Sequence, residues 1–90
     1  MRYAARVDKN QKEIVEALRK VGAHVIHLHQ LKNLFDILVA YKGNFYAIEI
    51  KDGSGKLTKG ELKCKEDLER VRCTYNIAYN VQDALNIIGV

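Results

Sequence analysis

The fold is decided by residues 35–51, which read FDILVAYKGNFYAIEIK and carry charges at Asp36, Glu49 and Lys51. Two apolar runs of strand length, residues 35–41 and 45–51, flank Lys42-Gly43-Asn44, a hairpin turn. Each charge interrupts a strand that is otherwise almost fully apolar. A buried charge is expensive unless it is paired or binds a metal. Glu49 and Lys51 are two residues apart and so share a face of the strand. An even loop lets Lys42 pair with Phe45. Lys51 then falls opposite Asp36, Glu49 falls opposite Leu38, and the three charges converge. An odd loop without a bulge sends Asp36 to the other face.

Outward from the hairpin, the N-terminal side reads as a helix starting near Lys9. Asp8 is its N-cap and Gln11 the partner in a capping box. Ile14, Val15, Leu18 and Val21 form one apolar stripe, and Gly22 ends the helix. Residues 23–28 read as a short strand and residues 28–34 as a loop. After the hairpin, Asp52-Gly53-Ser54-Gly55 is a flexible turn. Thr58 caps a second helix with Glu61 at the capping-box position, and Leu62, Leu68 and Val71 are its expected buried residues, with Cys64 at the margin. Residues 73–79 are a fourth strand. Asn80 caps a last helix in which Ala84, Leu85 and Ile88 face inward. The order α-β-β-β-α-β-α predicts an α/β fold, a small mixed sheet flanked by helices.

Ninety residues suit one domain, 1–90, with a thin core. The longest charge-free run, residues 21–31, falls short of the about 20 residues that cross a bilayer, so no membrane partner is expected. The first residues lack the apolar stretch of a secretory signal. Cys64 and Cys73 make neither a disulfide framework nor a metal quartet, and they suit a reducing compartment such as the cytoplasm. A net charge of +4 and a pI near 9.1 lean toward a polyanionic partner.

Two carboxylates about 4 Å apart repel by roughly 4 kcal/mol at an effective dielectric of 20. A divalent cation between them converts that penalty into affinity. Hard oxygen ligands from Asp36 and Glu49, joined by the Ile50 carbonyl, favour Mg²⁺ or Mn²⁺. Such an ion acidifies water and neutralises charge developing on a phosphate, and Lys51 adds a point charge. A structural Asp36–Lys51 ion pair, with Glu49 exposed at a sheet end, accounts for the same spacing without chemistry.

Asp36 followed by Glu49-Ile50-Lys51 resembles the signature of the PD-(D/E)xK nucleases. The whole chain is similar to the small stand-alone VRR-NUC (viral-type replication-repair nuclease) domains of phage and prophage type. The similarity is carried by Arg6-Val7-Asp8-Lys9-Asn10-Gln11, Ile14-Val15, Ala17-Leu18-Arg19, Gly22-Ala23, Phe35-Asp36-Ile37-Leu38-Val39, Glu49-Ile50-Lys51-Asp52-Gly53 and Lys56-Leu57-Thr58. The resemblance implies a restriction-endonuclease-like core and a metal-dependent DNA endonuclease acting on branched or flapped DNA in repair. It also implies a homodimer, and a phage, prophage or bacterial product. Asp36 and Glu49 become metal ligands and Lys51 the catalytic lysine. Gln11 lies nearest the helix-one position that is often acidic in this superfamily, with Glu13 and Glu16 as acidic neighbours. The chain departs from the family at Phe35, where proline is usual, and at Gln30-Leu31-Lys32-Asn33-Leu34, where the loop is usually glycine-rich. A second-helix glutamine is also missing, since Leu62 follows Glu61.

Gln11 keeps two roles open, cap partner and site residue. His27 and His29 share a strand face while His24 points away, and packing or surface roles suit all three better than a zinc site. Lys56, Lys59, Lys63 and Lys65, with Arg2, Arg6, Lys9 and Lys12, form a basic surface suited to a DNA backbone or simply to water. Tyr41, Tyr46, Tyr75 and Tyr79 read as packing residues. A non-catalytic nucleic-acid-binding module on the same fold, and a structural basic protein, are the rival expectations.

Overall fold

A computed structural model describes residues 10–90. Seven elements follow in the expected order: α1 (Gln11–Lys20), β1 (His24–His27), β2 (Ile37–Tyr41), β3 (Asn44–Ile50), α2 (Lys59–Arg70), β4 (Tyr75–Ala78) and α3 (Val81–Ile87). The strands lie in the order β1-β2-β3-β4. The first two pairings are antiparallel and β3–β4 is parallel, so the sheet is mixed, as expected.

The hairpin joining β2 to β3 turns one step earlier than the sequence suggested. Tyr41 pairs with Asn44, leaving Lys42-Gly43 as a two-residue loop. Both loop residues have positive φ, 48° and 85°, the backbone of a type I′ turn, whose twist matches that of the flanking strands. The loop is even, but the register differs by one pairing step from the expected Lys42–Phe45 match. Ile37 pairs with Ile48, and continuing the ladder sets Asp36 opposite Glu49 rather than Lys51.

Alternation along the strands sorts the sheet into two faces. Val25, Ile37, Val39, Ile48, Ile50 and Ala78 point to one face, where Ile14, Val15 and Leu18 of α1 and Ala84 and Ile88 beside them complete the core. Leu85 packs against this cluster as well. Val21, expected in the apolar stripe, is the C-cap of α1 and is exposed. The helix ends there because Gly22 takes φ +100°, letting Gly22 N–H reach Arg19 O and Ala23 N–H reach Leu18 O.

The N-cap of α1 is Asn10, not Asp8. Asn10 makes no capping hydrogen bond. Its amide instead donates to Lys51 O at 3.1 Å and Tyr79 O at 2.8 Å, tying the ends of β3 and β4 together. Asp8 and Lys9, on which the earlier helix start rested, lie outside the described residues.

The opposite sheet face is covered by α2. Its capping box is as expected: Thr58 Oγ1 accepts from Glu61 N at 3.1 Å and Glu61 Oε1 accepts from Thr58 N at 2.9 Å. Its rotation is not. Leu62 and Val71 are exposed, no residue of α2 is fully buried, and its half-buried residues include Glu61, Cys64 and Leu68, with Leu57 half-buried just ahead of the N-cap. The helix turns a charge inward because Glu61 has a partner there. Gly60 also lies so close to Asn33 that a Cβ would overlap the asparagine side chain.

Candidate functional site

The α2-facing side of β3 carries Glu49. It is 3% exposed although it is a carboxylate, and its side chain belongs to the face opposite Ile48 and Ile50. Asp36, at the mouth of β2, sits across the ladder, and its Oδ2 accepts from Ile50 N at 2.8 Å. In a strand the N–H and C=O of one residue point to the same side, and the next residue points to the other. Lys51 N donates to Ala78 O on the β4 side at 3.0 Å. The Ile50 carbonyl therefore faces β2 and Asp36.

Lys51 follows on the same face as Glu49. Its ammonium lies 3.3 Å from Glu49 Oε2 and 2.9 Å from Glu61 Oε1. Asp36, Glu49, Ile50 and Lys51 line one cleft of about 320 Å³, together with His29, Leu31, Lys32, Asn33, Thr58 and Glu61. The hairpin thus brings together the three charges singled out in the sequence. The expected Asp36–Lys51 opposition is replaced by Asp36 facing Glu49, with Lys51 one step beyond.

Burial, the Asp36 charge and the Glu61 charge push the Glu49 carboxyl up to about 8, against the opposing pull of Lys51. Burial alone would lower Lys51, but its hydrogen bond to Glu61 and the charges of Glu49 and Glu61 win and raise it. Burial works against ionisation of Glu61 too. Its hydrogen bonds to the Thr58 backbone and to Lys51 outweigh that and hold it below the usual carboxylate range. Burial first, then Glu49 and Glu61, push the Tyr75 phenol well above its ordinary value, and its hydroxyl donates to Leu34 O at 2.9 Å. Asp36, Glu49 and Glu61 crowd three carboxyl groups into one cleft, and burial together with the neighbouring acids disfavours the ionised form of Glu49.

That crowding is the test of fit for a cation. Two hard carboxylates in mutual repulsion, with a backbone carbonyl facing the same side, make a donor set suited to Mg²⁺ or Mn²⁺. Asp36, Glu49 and the Ile50 carbonyl would hold the ion. No group of three or more His, Cys, Asp or Glu side chains arranged to hold a metal occurs among the described residues. The set found here has two side chains and a main-chain oxygen.

Gln11 is not brought into this cleft. It is 2% exposed, and its amide nitrogen lies 3.5 Å from His27 Nδ1. His27 pairs with Ile37 and so belongs to the core face, across the sheet from Glu49. His24 pairs with Ala40 and points the other way, as alternation requires. Glu13 and Glu16 are exposed and line a separate surface hollow with Asn10, Lys12 and Asp52. Arg2, Arg6 and Lys9 lie outside the described residues.

Among the cations of α2, Lys63 pairs with Asp67 and Lys65 with Glu69, both at 2.9 Å along the helix. Such pairs along a helix surface contribute little and are screened by salt. Lys56 and Lys59 are exposed and form no ion pair with another described residue. The cleft residues that sequence reasoning did not assign to the site are Glu61, His29, Leu31, Lys32, Asn33 and Thr58. Glu61 had a signal. It shares the i, i+3, i+7 stripe of Cys64 and Leu68, which is inconsistent with a purely solvent-facing cap.

The chain matches no protein-family model, no curated protein and no solved structure. Its functional reading therefore rests on the residues themselves.

Proposed function

We propose that this chain is a Mg²⁺- or Mn²⁺-dependent, structure-selective DNA endonuclease that hydrolyses phosphodiester bonds, with branched DNA such as Holliday junctions or flaps as substrate. One observation carries the reading: Asp36 and Glu49 crowd into one cleft beside the Ile50 carbonyl, with the Lys51 ammonium 3.3 Å from Glu49. Crowded carboxylates are unfavourable by themselves and favourable around a cation. The resemblance of Asp36 and Glu49-Ile50-Lys51 to the VRR-NUC motif supports the same chemistry.

In this reading Asp36, Glu49 and the Ile50 carbonyl hold the ion, which when bound acidifies water and offsets charge on the phosphate. Lys51 supplies a fixed positive charge where negative charge develops on the phosphate oxygens as water adds to phosphorus. The P–O bond to the leaving sugar oxygen then breaks, and that oxygen takes up a proton. Lys56, Lys59 and Lys63 grip the flanking backbone; Arg6 and Lys9, expected from the sequence to share this task, lie outside the described residues. A homodimer in the cytoplasm of a bacterial or phage-infected cell completes the reading, since paired sites suit symmetric junctions.

The test is a nicking panel on junction, flap and plain duplex DNA with Mn²⁺. Wild type should cut branched DNA and stop in excess chelator. Lys51→Ala should lose at least about a hundredfold in rate while still binding DNA. Robust cutting by that variant would refute the mechanism. DNA binding without any cutting by wild type would leave a nucleic-acid-binding module instead.

A further inference from the structure

The sequence gives Glu61 one task, closing the capping box with Thr58, and the structure gives it a second. The same Oε1 that accepts from Thr58 N at 2.9 Å also accepts from Lys51 Nζ at 2.9 Å. This is the shorter of the two carboxylate contacts that Lys51 makes; Glu49 is at 3.3 Å. Both side chains are largely withdrawn from water, Lys51 being 15% and Glu61 20% exposed. A lysine ammonium rides on a flexible four-carbon stem, so its partners decide where it sits. Glu49 is a poor anchor if it also serves a metal, because its oxygens then have another claimant. Glu61 is not among the groups proposed to hold the ion. Its backbone N–H is held by Thr58 Oγ1 and its carboxylate by Thr58 N. The start of α2 is itself pressed against the preceding loop where Gly60 meets Asn33.

We propose that Glu61 is a positioning residue for Lys51: the capping box of α2 fixes a carboxylate that holds the lysine ammonium beside Glu49 at the cleft. The proposal rests on the nuclease reading for its consequence in catalysis, but not for the holding itself. It makes the first turn of a helix on one side of the cleft responsible for the geometry of a charge on the sheet.

Three variants test it. Glu61→Ala removes the acceptor, Glu61→Gln keeps an acceptor oxygen, and Thr58→Ala removes part of the cap while leaving the Glu61 carboxylate. The first readout needs no activity. The ¹H–¹⁵N correlation of the Lys51 ammonium should be visible in wild type and Glu61→Gln and broadened away in Glu61→Ala. The second is Mn²⁺-dependent nicking, which should fall about tenfold or more in Glu61→Ala, the scale of a misplaced catalytic group. It should fall clearly less in Glu61→Gln, and less in Thr58→Ala at an equal loss of melting temperature. Equal losses in Glu61→Ala and Thr58→Ala would overturn the proposal by making Glu61 a helix cap only. So would a Lys51 signal that Glu61→Ala leaves unchanged. A wild type that cuts no DNA, with the Lys51 signal responding as expected, would sink the nuclease reading and leave the holding of Lys51 by Glu61 supported.

Discussion

Glu49 concentrates the energetics of the site. An acid whose pKa is higher in the folded state binds its proton more tightly there, so it favours folding at low pH. That stability is lost as pH rises from the ordinary value of 4.5 to about 8. Glu49→Gln removes the proton and keeps the shape. We expect the metal-free wild type to lose a few kcal/mol relative to this variant between pH 5 and pH 8, read as urea midpoints. His27 runs the other way, since burial, then Arg19 and His29, hold it below 6.5 and its contribution grows as pH rises through that value. The difference between wild type and variant cancels this histidine. A pH-independent difference would mean that Glu49 is ionised in the folded protein. The three charges were legible because apolar strands made them conspicuous. Glu61 was harder to read: its place on the helical stripe with Cys64 and Leu68 was a signal, but a capping box already explains a glutamate without reference to anything beyond its own helix.

At the level of elements, the order of helices and strands followed from periodicity and caps, whereas rotation and register did not. Thr58 and Asn80 announced their helices, and both accept from the N–H three residues on. The turn moved by one step because type I′ geometry places Lys42 and Gly43, not Gly43 and Asn44, in the left-handed region. Composition does not encode such a choice strongly. Leu62 and Val71 looked inward by hydrophobicity, yet α2 turns Glu61, Cys64 and Leu68 inward instead. A tertiary ion pair and a close approach set that rotation. Gly60 is the element-scale test. In an ordinary helix Gly→Ala stabilises by about 1 kcal/mol. Here a Cβ meets the Asn33 side chain, so Gly60→Ala should destabilise by about 1–3 kcal/mol, the scale of overpacking. Adding Asn33→Gly should recover most of the loss in a double-mutant cycle. A stabilised single variant would show that the loop gives way freely.

Across the whole molecule the two sheet faces divide the work. One buries the core between α1, α3 and the strands; the other keeps a charged cleft under a helix with no fully buried residue. Filling the cleft with a cation should therefore raise stability without any change in the core. At a hundredfold excess over Kd the linkage is about 2.7 kcal/mol, a melting rise on the order of 10 °C for a domain of this size. Mn²⁺ should produce that rise in wild type and little in Asp36→Ala. The same small rise in both proteins would place the ion elsewhere.

The tight turn at Lys42-Gly43 also has a kinetic consequence. Contacts of short sequence separation form ahead of those that close long loops. Asp36 and Glu49 meet as that hairpin zips, whereas β4 reaches β3 only after the whole of α2 has intervened. The clash between the carboxylates thus belongs to the ascent toward the folding barrier. Above pH 8 the refolding arm of a chevron should slow while the unfolding arm holds. The reverse partition would mean that the hairpin assembles last.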